Sequence, residues 1–384
     1  MGLHFTKDEF ASRLNRCRRK LQEQNLDGIL LFKQESMYYL TGFDRVGYLS
    51  FQTLFIGIDG SVTLLTRRPD ALLARHNSII SDIEVWIDRT GVNPAEEIRR
   101  ILEARKMRGK RLGVEYHAVG LSTQRGKMLD AALEGFCHLQ DASALVDDLR
   151  RVKSEAEIAY VRKAATLAEA MYAEANRLSV PGTFEGDIYA AMYDVVMRND
   201  GDPPGSGTWV LGSGETAHLM RYQSGHRRLA ENDLVTHEFG AAYRRYHACL
   251  MHCVVIGEVD PRHRAMFEAC RNALDACKEV ARPGHAFGTI FDTFAKTMSD
   301  VGFGHMIFNA CGYSLGASYP PSWAEEPFMH TGNPLPIEPG MVLFPHLILI
   351  DQGAGLTMSL GETVLVTEGA CEPLTHAPRE LIVR

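Results

Sequence analysis

Apolar residues recur at helical spacing over residues 7–24 and then run unbroken through Gly28-Ile29-Leu30-Leu31-Phe32, which predicts an amphipathic helix followed by a buried strand. Further apolar runs at 54–58, 62–66, 83–87 and 111–114 read as strands, with a helix over 94–105. This alternation is the rhythm of an α/β domain. Around residues 145–154 the chain turns charged and then enters an Ala- and Glu-rich helix over 155–178, so the division falls there, into domains 1–152 and 153–384. Beyond it, helices are expected at 185–198, 262–281 and 288–301. A strand-rich segment, 234–256, turns at Tyr243-Arg244-Arg245 and reads as a hairpin. Residues 311–340 read as Gly- and Pro-rich loops, and 342–350 and 362–367 as two more strands. The second half is expected to be α+β, with helices outside a curved antiparallel sheet.

The length of 384 residues suits two domains rather than one. Hydrophobic residues at 45% and charged residues at 23% are globular values, and no run approaches the ~18 apolar residues of a membrane span. The first residues carry no charged stretch leading into an apolar one, so no secretory signal is read and a cytoplasmic location is expected. Eight cysteines are scattered without a CxxC, which reads as free thiols. A formal charge of −7 without a basic stripe argues against a nucleic-acid partner.

Several short patterns occur in order along the chain. They are Tyr38-Tyr39-Leu40-Thr41-Gly42-Phe43, Val152-Lys153-Ser154-Glu155-Ala156-Glu157-Ile158 and Leu211-Gly212-Ser213-Gly214-Glu215. Gly312-Tyr313-Ser314-Leu315-Gly316, Ile337-Glu338-Pro339-Gly340-Met341 and Glu362-Thr363-Val364-Leu365-Val366-Thr367-Glu368 follow. Together they resemble the creatinase, prolidase and aminopeptidase P superfamily. That resemblance implies a creatinase-like N-terminal α/β domain followed by a pita-bread catalytic domain.

The peptidases of that superfamily hold two metal ions through two Asp, one His and two Glu, because a metal pair activates water and polarises the scissile carbonyl. The resemblance puts Glu238 at the first of those positions, Cys249 at the second, Tyr313 at the histidine, the fourth near Pro345-His346 and the last near Gly361-Glu362. A set so altered does not suit a two-metal centre, so no metal and no other cofactor is expected. Creatinase and the ectoine hydrolases are metal-free branches that hydrolyse C–N bonds of small zwitterions. This chain resembles the ectoine hydrolases in Glu238, in Tyr243-Arg244-Arg245-Tyr246-His247, and in the run from Gly312-Tyr313-Ser314 through Ser318-Tyr319-Pro320-Pro321 to Trp323. The expected reaction is therefore metal-independent hydrolysis of a C–N bond in a small zwitterionic amidine or amide. A dipeptidase of Xaa-Pro type with an altered metal site and a non-catalytic binding protein are the alternatives.

Alternation along strands puts Thr236, Glu238 and Gly240 on one face, and His247, Cys249 and Met251 on one face across the hairpin. Glu238 is expected as nucleophile or base, His247 as the acid, and Tyr313 as a hydrogen-bond donor to the substrate or to developing charge. His237 should face away. Arg221, with His218 as the other candidate on that turn, suits a substrate carboxylate. Tyr319 and Trp323 offer aromatic faces to a compact cation. His330, His346 and Glu362 are further candidates for substrate contact. Resemblance to creatinase implies a homodimer with a shared active site, in which the loop at 42–52 brings Arg45 and Phe51 to the partner's site.

Overall fold

The computed structural model describes residues 2–206, 210–222 and 226–384. The chain divides into two compact units, Met1–Arg150 and Arg151–Arg384. The first runs α1 (Lys7–Glu23), β1 (Gly28–Leu31), α2 (Gln34–Thr41), β2 (Thr53–Gly57), β3 (Val62–Thr66), α3 (Arg68–Asn77), β4 (Asp82–Val85), α4 (Pro94–Ala104), β5 (Arg111–Val114), α5 (Thr123–Leu133), β6 (His138–Asp141) and α6 (Ala144–Arg151). Its mixed sheet has the order β4-β3-β2-β1-β5-β6. β1 is apolar throughout because it is covered on both sides. Ile29 and Leu31 enter a core with Cys17 and Leu21 of α1 and Met37 of α2, whereas Leu30 enters a second core with Ile98 and Leu102 of α4.

The second unit continues with α7 (Glu155–Leu178), α8 (Glu185–Arg198), β7 (Val210–Ser213), β8 (Asp233–Tyr243), β9 (Tyr246–Ile256), α9 (Pro261–Val280), α10 (Gly288–Asp300), β10 (Ala310–Leu315), β11 (Ala324–His330), β12 (Val342–Asp351), β13 (Leu356–Glu362) and β14 (Val364–Leu365). The sheet order is β11-β10-β12-β13-β9-β8-β7, every neighbour antiparallel. A full capping box opens α7: the Ser154 hydroxyl accepts from the Glu157 amide and the Glu157 carboxylate accepts from the Ser154 amide. The β8–β9 hairpin closes through Arg244 and Arg245, both at positive φ (50° and 68°), the two-residue turn whose twist matches that of the strands.

The structure corrects the sequence reading in the segment expected to be loops. Residues 311–340 hold β10 and β11, whose irregular pairing conceals the period of two. The strand expected over 362–367 is found only as the short β14, paired with β12, while the longer β13 lies before it and ends at Glu362. In the first unit α2, α3, α5, α6 and β6 were not foreseen. All but one of the residues of α2 are buried, so it lacks an apolar stripe, and β6 is a polar edge strand.

Candidate functional site

The register of the sheet assembles the site. Glu238 on β8 faces Met251 on β9, Met251 faces Gly361 on β13, and Gly361 faces His346 on β12. Cross-strand partners share a face, so Glu238, Met251, Gly361 and His346 form one transverse row. Two positions from His346, on the same side of β12, Phe344 is paired with Tyr313 of β10. Gly240 and Cys249 make the next pair on that face of the hairpin.

A hydrogen-bonded chain of three side chains crosses this face. The indole N–H of Trp323 donates to the Tyr313 hydroxyl at 2.8 Å, and that hydroxyl donates to Glu238 Oε1 at 3.1 Å. Trp323 packs against the bare backbone of Gly240, its Cε3 being 3.5 Å from where a β-carbon would stand. The Tyr313 ring is enclosed by His346, Phe344 and Phe328, with centroids at 5.1, 5.7 and 5.9 Å. Gly312 must be glycine, because at φ 146° a β-carbon would lie 2.4 Å from the Phe344 carbonyl oxygen.

Burial raises the pKa of Glu238, and the Tyr313 hydrogen bond and then the Arg221 charge pull it back. Tyr313 and Cys249 are both held well above their usual ranges, first by burial and then by the Glu238 charge. Each is a neutral donor. Burial, then Arg221, pushes His346 down to about 4, so its imidazole is neutral at physiological pH. Arg221 is an exposed residue whose charge reaches both Glu238 and His346, and His218 is half-buried on the same turn.

Several sequence expectations change. His247 is buried with both ring nitrogens taken by backbone: Nε2 accepts from the Gly205 amide at 2.6 Å, and Nδ1 faces the Gly316 carbonyl at 3.3 Å. Burial lowers its pKa to about 4, so the ring is neutral; its one N–H, on Nδ1, is directed at the Gly316 carbonyl, and the side chain ties two loops together. Glu362 pairs with Leu250, one residue out of step with the row, and makes its ion pair with Lys278 at 2.5 Å. Gly361 takes the place in the row. His330 ends β11 exposed, with Nδ1 facing the Thr331 carbonyl at 3.0 Å. Tyr319 is buried with the Arg245 guanidinium 5.3 Å from its ring centre, so a side chain of the protein already covers a face of that ring. His237 lies opposite His252, on the face away from Glu238.

In the first unit, Arg45 is tied to Asp70, the Gly47 carbonyl and Ser50, and Phe51 is 4% exposed against Phe32. The exposed groups of that loop are Val46 and Leu49, at 55% and 88%. The sequence reading gave no role to Phe344 or Gly361. A lone glycine inside an apolar strand marks a close backbone approach and was a usable signal; Phe344, in a strand apolar on both faces, left none.

The positions that the resemblance assigns to metal ligands therefore hold one carboxylate, a protonated thiol, a protonated phenol, an imidazole and a glycine. Among the described residues no three His, Cys, Asp or Glu side chains converge as a ligand group. Hard divalent ions at a two-metal hydrolytic site need several anionic oxygens, and this donor set does not supply them.

Residues 159–368 match the metallopeptidase family M24, and residues 13–152 match the creatinase/prolidase N-terminal domain. The chain belongs to family M24 and has the pita-bread fold, in a family of hydrolases. It is 29% identical over 401 residues to the uncharacterized hydrolase/peptidase y4tM of Sinorhizobium fredii, and 26% identical over 406 residues to the ectoine hydrolase of Halomonas elongata. Both alignments cover 100% of this chain and 99% of the relative. The prolidase of Thermococcus sibiricus shares the fold with a TM-score of 0.86 and 21% identity, over 98% of this chain and 99% of its own. No helix of the described residues is long and apolar enough to cross a membrane.

Proposed function

We propose that this protein is a metal-independent hydrolase of a C–N bond in a small zwitterionic amidine or amide, with ectoine-type ring opening as its reaction. The observation that carries the proposal is Glu238: a carboxylate oriented by Tyr313, at a site whose other metal-ligand positions are a thiol, a phenol, an imidazole and a glycine. Similarity to the ectoine hydrolase over the full chain supports the substrate class.

In this reading a Glu238 oxygen adds to the amidine carbon, forming a C–O bond. The C–N bond then breaks, and the nitrogen leaves with its electron pair and takes a proton. The carbon keeps its second nitrogen, so Glu238 is left bound to it as a mixed imidic anhydride; water adds to that carbon, the C–O bond to Glu238 breaks, and the amide product leaves as the carboxylate is regenerated. Tyr313 holds the attacking group and donates to charge that develops beside it. Arg221 pairs with the substrate carboxylate. His247 has no part in proton transfer.

The same proposal includes a homodimer in which the 42–52 loop closes the partner's site, with Val46 and Leu49 as the contacting groups in place of Arg45 and Phe51. A cytoplasmic location completes it.

The test is metal analysis of purified protein together with assays of ectoine, creatine and a Xaa-Pro dipeptide, with and without chelator. Less than about one equivalent of metal and chelator-resistant turnover of ectoine or creatine are expected. Stoichiometric metal with chelator-sensitive dipeptide cleavage would establish a metallopeptidase instead.

A further inference from the structure

Gly361 is the only member of the Glu238–Met251–Gly361–His346 row without a side chain, and the bare position lies directly opposite His346. We propose that Gly361 and His346 act as a pair, the glycine leaving room for the imidazole to lie over the row, where it makes direct contact with the substrate. The inference rests on the hydrolase reading above and adds a catalytic residue to it.

Three observations support the pairing. A β-carbon at Gly361 would stand 3.0 Å from His346 Cβ, 3.1 Å from its Cα and 3.1 Å from Phe344 Cε2, so any side chain there displaces the imidazole or the phenyl beside it. The imidazole is held between aromatic rings, 5.1 Å from Tyr313 and 5.4 Å from Phe344 by centroids, which fixes its direction. It also makes no hydrogen bond among the described residues, and its Nδ1 is buried without a partner. His237, His247 and His252 each satisfy at least one nitrogen, on Ser179, on backbone and on Asn176. His263 on α9 leaves both nitrogens sealed and unpaired, whereas His346 Nε2 is unpaired without being sealed, and on a face that also carries the Glu238 carboxylate it is the nitrogen left for a ligand atom.

The pairing also accounts for the mismatch with the metal centre of the family. Where the resemblance places two carboxylates, this chain has an imidazole and a hydrogen atom, two changes complementary in volume. The neutral imidazole offers one donor and one acceptor, and accepts a hydrogen bond from a substrate N–H without adding positive charge beside a cationic amidine.

The experiment is steady-state kinetics on whichever of ectoine, creatine and a Xaa-Pro dipeptide the wild type turns over, for His346→Ala, Gly361→Ala and the double variant, with far-UV circular dichroism to confirm folding. His346→Ala is expected to lower kcat/KM at least 100-fold, with part of the loss recovered by added imidazole. Gly361→Ala should lower it at least 10-fold in the His346 background and change it less than threefold in the His346→Ala background. A folded His346→Ala variant within threefold of wild type, or losses that multiply in the double variant, would overturn the pairing while leaving the proposed hydrolase intact. Absence of wild-type turnover on all three compounds would overturn both.

Discussion

His237 and Glu238 are neighbours on β8 and lie on opposite faces of the sheet. His237 stacks on His252 at 5.0 Å between ring centres, and the end of α7 supplies its C-cap Ser179 to one ring and Asn176 to the other. On the other face Glu238 Oε1 accepts from Tyr313, while Oε2 has no hydrogen-bond partner among the described residues. Both faces bury titratable groups and shift them: His237 falls to about 3, and Glu238 rises. A shifted pKa therefore does not mark the site. What separates the faces is cover: under the helix each imidazole pairs one nitrogen and leaves Nδ1 buried without a partner, whereas the other face sets the unpaired Glu238 Oε2 and His346 within reach of the Arg221 charge.

The largest effect should come from the open face. Glu238→Gln is expected to remove turnover by at least ~10³-fold, because an amide is neither nucleophile nor base. It should also raise the thermal midpoint at pH 7. The folded-state pKa of Glu238 is raised, so the unfolded chain ionises first as pH increases, and the native state loses stability above the unfolded value near ~4.3. Replacing the acid removes that penalty, a gain in thermal midpoint that vanishes below about pH 4. Retained activity would erase the distinction between the faces.

Tyr313→Phe should lower kcat by about 10–100-fold, by taking the donor from Glu238. It should also cost about 1–3 kcal/mol of stability in a urea titration, since the buried Trp323 N–H loses its acceptor. Equal effects on KM alone would assign Tyr313 to binding only.

The closed face should show itself in acid. His237 and His252 on this face, and His247 on the other, have folded pKa values depressed by burial, so each adds stability that is complete above the unfolded value near ~6.5 and is lost as pH falls below it, for His237 and His247 down to about 3 and 4. Calorimetry should find the midpoint dropping steeply from about pH 6.5 downward, and His237→Gln should flatten that slope with little change in turnover at pH 7.5. A parallel loss of activity would place His237 in the chemistry. The smallest effect concerns assembly: Leu49→Asp should leave the fold intact, shift the sedimentation of a dimer toward monomer and weaken substrate affinity by roughly tenfold.

Much of this was legible in the sequence, for identifiable reasons. The hairpin and its parity followed from alternation, so the placing of Glu238 and His237 on opposite faces came out correctly. Tyr313 and Trp323 were singled out, but nothing local reveals that a tyrosine ten residues before a tryptophan accepts its N–H, because an irregular β10–β11 connection sets that geometry. His247 misled because sequence cannot show two loops, at Gly205 and Gly316, converging on one ring. Arg45 and Phe51 misled for the opposite reason: residue types common at interfaces are also satisfied by an adjacent Asp70 or an adjacent core.

The placing of α7 has a consequence for how the chain comes to be folded during synthesis. Its partners lie far ahead in the sequence: Arg162 pairs with Glu372, the Tyr172 hydroxyl donates to the Pro378 carbonyl, and the Asn176 carbonyl accepts from Arg384. Lys153, just before the helix, reaches Ser314. The first unit closes its own contacts within 150 residues, as Lys33 with Asp147 and Tyr39 with the Leu149 carbonyl show, and can settle while translation proceeds. The buried stripe of α7 must then wait for more than 200 further residues, roughly 10–40 s of ribosome time, before its last partners emerge. A helix that is long, apolar on one side and early in its domain is thus the segment most exposed to chaperone capture or mispairing on the way to the native state.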